Sequence, residues 1–155
     1  MIQKNCIICN QNAGTIDITD QIIWQNEDWL LRHHKEPFPL KGWLLLQPKR
    51  HVQGVAYLNQ KEASEFGNLT RLICLELQTI LTISKVYMIA FGESIDHMHV
   101  HFIPRYPSLP SKFLGFGIAD LYRRIANCDI GGASKNDVSI LIEELKERFK
   151  NKPPI

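Results

Sequence analysis

The segment that most constrains the fold is residues 97–102, where histidine alternates with an apolar residue in the order His-Met-His-Val-His-Phe. Successive side chains of a β-strand point to opposite faces, so an alternation of period two predicts a strand. His97, His99 and His101 would then share one face at a spacing of about 6–7 Å. The apolar face is expected to join a hydrophobic core. The histidine face is expected to carry chemistry, the alternative being an ordinary polar outer face.

The composition of the whole chain indicates a single domain. The 155 residues are 45% hydrophobic, which is enough for a hydrophobic core. Eighteen basic and sixteen acidic residues leave a net charge of +2, which argues against a broad face for a nucleic acid polymer. No apolar run approaches the roughly 18–20 residues of a membrane helix, and the N-terminus lacks the apolar core of a secretion signal. We therefore expect a cytoplasmic protein without a membrane partner.

Hydrophobic periodicity predicts the elements before the histidine segment. Two short runs at 22–25 and 29–32 flank a turn and predict a hairpin. The run 42–48 predicts a strand buried on both faces. Apolar residues at helical spacing predict one long helix over 60–84. A strand over 86–91 would pair antiparallel with the histidine strand.

The C-terminal part of the chain predicts further helices. A short helix is expected within 114–127, and an apolar stripe at helical spacing predicts a last helix with Val138, Leu141, Ile142, Leu145 and Phe149 on its inner face. The predicted class is α+β, with a mostly antiparallel sheet and the helices to one side.

A CxxC motif at Cys6 and Cys9 suggests a metal site. Two thiolates can bind zinc, which then needs two further ligands. His51 directly follows a predicted strand, and His97 is the outermost histidine of the alternating row. The set Cys6, Cys9, His51 and His97 would form a closed structural zinc site.

Other interpretations of these residues remain open. The CxxC could be a redox pair, although that motif usually opens a helix in a βαβ unit, or two ordinary cysteines. His33 and His34 compete for the ligand role and are expected to be exposed loop histidines. Cys74 and Cys128 are expected to be small buried residues.

His99, at the centre of the row, is the candidate nucleophile. Neutral imidazole can attack a phosphorus centre and form a covalent intermediate that water then hydrolyses. The non-bridging oxygens of the phosphorus group need hydrogen-bond donors, and His101, the Ser94 hydroxyl and turn amides near Gly92 are candidates. A metal site built from all three histidines is the less favoured alternative, because His97 and His101 would be about 13 Å apart on a strand.

These motifs resemble those of the histidine triad (HIT) superfamily. The resemblance runs from Cys6 to Arg105 and rests most strongly on the triad with its Gly-x-Ser lead-in at 92–97. It implies a HIT-like fold over residues 1–110, a homodimer, and hydrolysis of a nucleotidyl phosphoramidate or a dinucleoside polyphosphate. His99 would be the nucleophile and His101 a phosphate-binding residue, with zinc on the four ligands named above. Residues 111–155 lie outside the signature and are expected to form a helical extension packed on the same domain.

The sequence departs from the family pattern in the nucleoside pocket. Glu93 stands where the family often has glutamine, and Trp43 stands where it usually has histidine. The aspartate that grips the ribose in the family is absent. The nearest positions are His34, Lys35 and Glu36; Lys35 would suit a phosphate, and Glu36 would suit the ribose hydroxyls. The alternative function is therefore an inactive, zinc-stabilised nucleotide-binding protein.

Overall fold

A five-stranded antiparallel sheet forms the centre of the molecule, in a computed structural model that describes residues 3–151. Its strands are β1 (Ile22–Gln25), β2 (Trp29–His33), β3 (Leu44–Pro48), β4 (Lys85–Ile89) and β5 (Val100–Arg105). The helices are α1 (Ile7–Asn12), α2 (Gln60–Ile80), α3 (Ile118–Ala126) and α4 (Lys135–Asn151). The strands are ordered β1-β2-β3-β5-β4. The predicted α+β fold with one long helix is confirmed.

The long helix α2 starts where the sequence predicts. Asn59 accepts a hydrogen bond from the Glu62 backbone N–H, and the Glu62 carboxylate accepts one from the Asn59 backbone N–H. This reciprocal capping box stabilises the first turn. The helix ends at Ile80 rather than at residue 84, because Leu81 is already extended and leads into β4.

The two faces of the sheet pack against different helices. Phe102 and Ile103 are neighbours on β5, so their side chains point to opposite faces. Phe102 belongs to the main core with the buried faces of α2 and α4, whereas Ile103 packs in a second cluster with α3. The expectation that all helices lie on one side is wrong for α3, whose apolar face covers the histidine side of the sheet.

The regular strand begins later than the histidine pattern suggests. β5 starts at Val100, and the Met98 backbone N–H donates to the carbonyl of Val52 instead of joining the sheet ladder. Met98, Val100 and Phe102 all lie in the main core, as the alternation predicts. His97 and His99 are therefore presented by the segment just before β5, and His101 by the strand itself.

The expectation of exposed histidines at 33 and 34 is wrong. His33 is the last residue of β2 and is fully buried, and His34 is only 7% exposed. The His33 ring is held by two backbone groups: its Nδ1–H donates to His34 O, and its Nε2 accepts from Gly42 N–H. Gly42 has a positive φ of 83°, a turn that glycine adopts without strain and that starts the approach to β3.

Candidate functional site

Four potential metal ligands converge at one end of the sheet. Cys6 and Cys9 lie at the start of α1, His51 follows β3, and His97 precedes β5. Their ligand atoms all lie within 4.8 Å of one another. Cys6 Sγ and Cys9 Sγ are 3.5 and 3.6 Å from His97 Nδ1, and Cys9 Sγ is 3.5 Å from His51 Nδ1. With Zn–S near 2.3 Å and Zn–N near 2.0–2.1 Å, a tetrahedral site has sulfur–nitrogen separations of about 3.5 Å, so the donor set fits zinc.

Hydrogen bonding orients His97 for this role. Its Nε2–H donates to the carbonyl of Pro48 at 2.9 Å, which leaves the Nδ1 lone pair directed at the two sulfur atoms. Outer hydrogen bonds of this kind commonly fix the orientation of a metal-binding histidine. Burial raises the pKa of the Cys9 thiol, and a divalent cation would reverse that effect by stabilising the thiolate.

The remaining cysteines are separate from this cluster. Cys74 is half-buried and Cys128 is exposed, so the expectation that Cys128 is buried is wrong. Substitution of either cysteine can serve as a control for substitution of Cys6 or Cys9.

A cavity of about 540 Å³ lies on the face of the sheet that α3 covers. This volume is typical of a small-molecule site. Of the residues expected at the site, His99, His101, Ser94 and Lys35 line the cavity. Glu36 is not among the lining residues, and its carboxylate lies 3.7 Å from the Lys135 ammonium.

His99 lines the cavity, and one of its ring nitrogens has no hydrogen-bond partner among residues 3–151. Its Nδ1 lies 2.8 Å from the carbonyl oxygen of His97. A carbonyl only accepts, so Nδ1 carries the proton and Nε2 carries the lone pair. Within residues 3–151 no hydrogen-bond partner occupies His99 Nε2, and His99 lines the cavity. This nitrogen, Nε2, has the lone pair that a nucleophile requires.

His101 has the opposite tautomer. The Trp43 indole N–H, which can only donate, lies 2.9 Å from His101 Nδ1, so the proton of the neutral ring is on Nε2. Burial, followed by the nearby charges of His99, His34 and Arg32, lowers the pKa of His101 to about 3. His101 is therefore a neutral donor at physiological pH.

Replacing Trp43 with phenylalanine is expected to lower kcat/KM by about 10²- to 10³-fold, the scale of losing one oriented donor. The ring of His101 could then carry its proton on Nδ1 and turn a lone pair toward the bound anion. Steady-state kinetics on any substrate that the protein turns over provides the measurement. Trp29→Phe is the matched control, because Trp29 packs in the main core and its indole N–H is buried without a hydrogen-bond partner in the described residues. Equal losses in the two variants would contradict the role of Trp43.

Sequence reasoning missed part of the cavity lining. Gln11 from α1, Arg32 from β2, and Tyr122 and Arg123 from α3 all line it. Arg32 stands in a strand whose residues are all buried, and a charged residue in such a strand was the available signal. Of the two helices after residue 110, α4 packs in the main core, whereas α3 forms a wall of the cavity.

Glu93 also lines the cavity and is exposed.

Among residues 3–151, no helix has the length and apolar character needed to cross a bilayer.

The comparisons with known proteins identify a family and similar folds. The HIT domain model matches residues 15–108. A histidine triad nucleotide-binding protein from Sulfolobus tokodaii has 20% identity and a TM-score of 0.67 over 96% of this chain and 97% of its own. A zinc-bound histidine triad family protein from Mycobacterium smegmatis has 14% identity and a TM-score of 0.67 over 95% and 96%. A HIT family protein from Bacillus anthracis has 21% identity and a TM-score of 0.59 over 81% and 97%. No curated protein sequence matches significantly.

Proposed function

The chain belongs to the HIT domain family, and we propose that it is a hydrolase that cleaves a nucleotidyl phosphoramidate or a dinucleoside polyphosphate through a covalent nucleotidyl-histidine. The observation that carries the proposal is the pair of tautomers beside the cavity. His99 offers a lone pair on Nε2, and His101 offers a proton on Nε2. One group can attack phosphorus while its neighbour binds the oxygen that gains charge.

The proposed reaction has two displacements. In the first, His99 Nε2 bonds to phosphorus as the P–N or P–O bond to the leaving group breaks. The leaving group departs with the electron pair and takes a proton from solvent. The positive imidazole of the intermediate keeps its Nδ1–H bonded to the carbonyl of His97. In the second, water attacks phosphorus and gives up a proton to solvent, the P–Nε2 bond breaks, its electron pair returns to His99, and a nucleoside monophosphate is released.

The donors around the phosphorus group come from two directions. His101 on β5 offers its Nε2–H, and Ser94 lines the cavity from the β4–β5 connection. Gly92, in the same connection, has a positive φ of 71°. Turn amides in such conformations can bind anions, so this connection supports the same oxygens.

We also propose that zinc occupies the Cys6, Cys9, His51 and His97 cluster. The metal would be structural, since four protein ligands leave no open position for a substrate. It would hold α1 against the segment that presents His99. The cavity would depend on this link, because Ile7, Ile8 and Gln11 of α1 line it.

Product release from a small panel tests the hydrolase directly. An adenosine phosphoramidate, diadenosine polyphosphates and a nucleotide sugar would each be incubated with the zinc-loaded protein. We expect release of a nucleoside monophosphate from the phosphoramidate or from a diadenosine polyphosphate. Turnover of the nucleotide sugar alone would contradict the proposed substrate class.

The second candidate is a nucleotide-binding protein without catalysis, favoured by one observation. Glu93 lines the cavity, and a carboxylate there would oppose the negative charge that the phosphorus oxygens gain during attack. Tight nucleotide binding without product release in the same panel would select this function.

The proposal includes a homodimer in the cytoplasm. β4 is an edge strand, and Met88 on it is 44% exposed, as is Leu75 on α2. Apolar groups beside an unpaired edge are typical of a surface that pairs with another chain. Sedimentation equilibrium of the zinc-loaded protein is expected to give twice the mass of the chain. A monomer at micromolar concentration would contradict this part of the proposal.

A further inference from the structure

A buried cation, Arg32, lines the cavity without an anion to pair with in the described part of the chain. Arg32 is only 6% exposed to solvent and is one of the residues that line the cavity. Within residues 3–151 no carboxylate forms an ion pair with it. Charges buried in proteins are normally paired. An unpaired guanidinium facing a cavity therefore indicates that its partner is a ligand.

The hydrogen bonds of Arg32 hold it in place and leave donors free. Its Nε donates to Gln47 Oε1 at 3.2 Å, and its Nη1 donates to Gln21 Oε1 and His33 O at 3.4 and 3.2 Å. All three acceptors are neutral. In the described part of the chain, the N–H groups of Nη2 have no acceptor.

The position of Arg32 separates it from the triad. Arg32 pairs with Leu45 across β2 and β3, and Leu45 pairs with His101 across β3 and β5. Two strand spacings put the Arg32 and His101 backbones about 10 Å apart. Gln47 on β3 and Gln21 before β1 hold the guanidinium from both sides of β2. We take an anion on Arg32 to be a group other than the phosphorus attacked by His99, because Gln47 and Gln21, rather than His99 or His101, hold the guanidinium.

Two further features of the lining favour an anionic ligand. Lys35 and Arg123 add positive charge, whereas Glu93 is the one acidic residue among the lining residues. Gln11 is 9% exposed, and its side-chain oxygen is buried without a partner among the described residues. The amide can present its two N–H donors instead, because the two orientations have the same shape.

We infer that Arg32 forms a second oxyanion subsite, so that the substrate carries a phosphate or carboxylate at the end remote from the scissile bond. The inference rests on the proposed function for the identity of that bond and narrows its substrate class. The preferred substrate is a molecule with two anionic groups: the scissile phosphorus group lies beside His99 and His101, and the other group accepts from Arg32 Nη2.

Inorganic phosphate is the probe for this subsite. Its affinity for the zinc-loaded full chain would be measured from the rise in melting temperature, with ionic strength held constant by sodium chloride. Arg32→Gln removes the charge and is expected to weaken phosphate binding at least about tenfold, the effect of losing one charge-assisted contact. Arg124→Gln is the matched control with unchanged affinity, since Arg124 pairs with Asp120 and does not line the cavity.

Two more variants complete the test. Arg32→Lys keeps the charge without the planar fork, so a smaller loss is expected, and this variant decides the matter if Arg32→Gln does not fold. The Arg32→Gln effect should persist in a His101→Gln background, because the two anions are separate. Three results would each overturn the inference: no stabilisation of the wild type by phosphate, equal affinity in all Arg32 variants, or loss of the Arg32 effect in the His101→Gln background.

The test does not need turnover. If the substrate panel shows no product, the hydrolase proposal fails and the phosphate titration still decides the role of Arg32. If the panel shows turnover and the titration shows no Arg32 effect, the hydrolase stands without the second subsite.

Discussion

Replacing His99 with alanine is expected to lower turnover of the best substrate by at least about 10⁴-fold, the scale of losing a covalent nucleophile. The remaining donors can still orient the bound anion, so binding of the nucleoside monophosphate product should change far less than kcat. Steady-state kinetics and product titration on the same preparation measure the two effects separately.

A second variant distinguishes loss of the nucleophile from damage to the fold. His99→Gly leaves a space that added imidazole can enter, and partial restoration of turnover by imidazole is expected because the missing group is then supplied in trans. His99→Ala that retains a tenth or more of the wild-type kcat would rule out His99 as the nucleophile.

Removing the metal is expected to destabilise the whole domain. A ligand present at a thousand times its Kd stabilises the folded state by about 4 kcal/mol, which corresponds to a melting temperature change of about 8–16 °C for a protein of this size. Metal affinity and folding are coupled because an unfolded chain has no preformed site. The chelator effect would be measured by calorimetry, with the zinc content determined before and after.

Cysteine substitutions provide the matched comparison for metal removal. Cys9→Ser should reproduce the loss caused by the chelator and make the protein insensitive to it. Cys128→Ser makes the same chemical change at an exposed position outside the cluster and should leave stability and zinc content unchanged. A chelated protein with an unaltered melting temperature, or a zinc content that survives Cys9→Ser, would contradict the structural role of the metal.

The sequence predicted the parts of the fold that depend on local pattern. The capping box at Asn59 and Glu62 is a contact between residues close in sequence, and the apolar face of Met98, Val100 and Phe102 follows from strand alternation. The cluster of Cys6, Cys9, His51 and His97 could be predicted because few residue types bind zinc.

The contacts that pattern could not predict join distant segments. The hydrogen bond from Trp43 to His101 joins residues that are 58 positions apart in the sequence. Neither residue type by itself predicts that the two side chains meet. Periodicity assigns Arg32 to a strand, but it cannot show that no carboxylate within residues 3–151 pairs with the guanidinium. The apolar stripe of α3 indicates a buried face without saying which side of the sheet it covers. The later start of β5 likewise depends on the bond from Met98 to Val52.

The stereochemical course at phosphorus tests the central claim, a covalent nucleotidyl-His99, most directly. A substrate from the panel with a chiral phosphorothioate of known configuration would be hydrolysed in water enriched in oxygen-18, and the configuration of the product determined. Two successive in-line displacements, first by His99 Nε2 and then by water, predict net retention. Net inversion would mean that water attacks the substrate directly, and it would contradict the covalent intermediate.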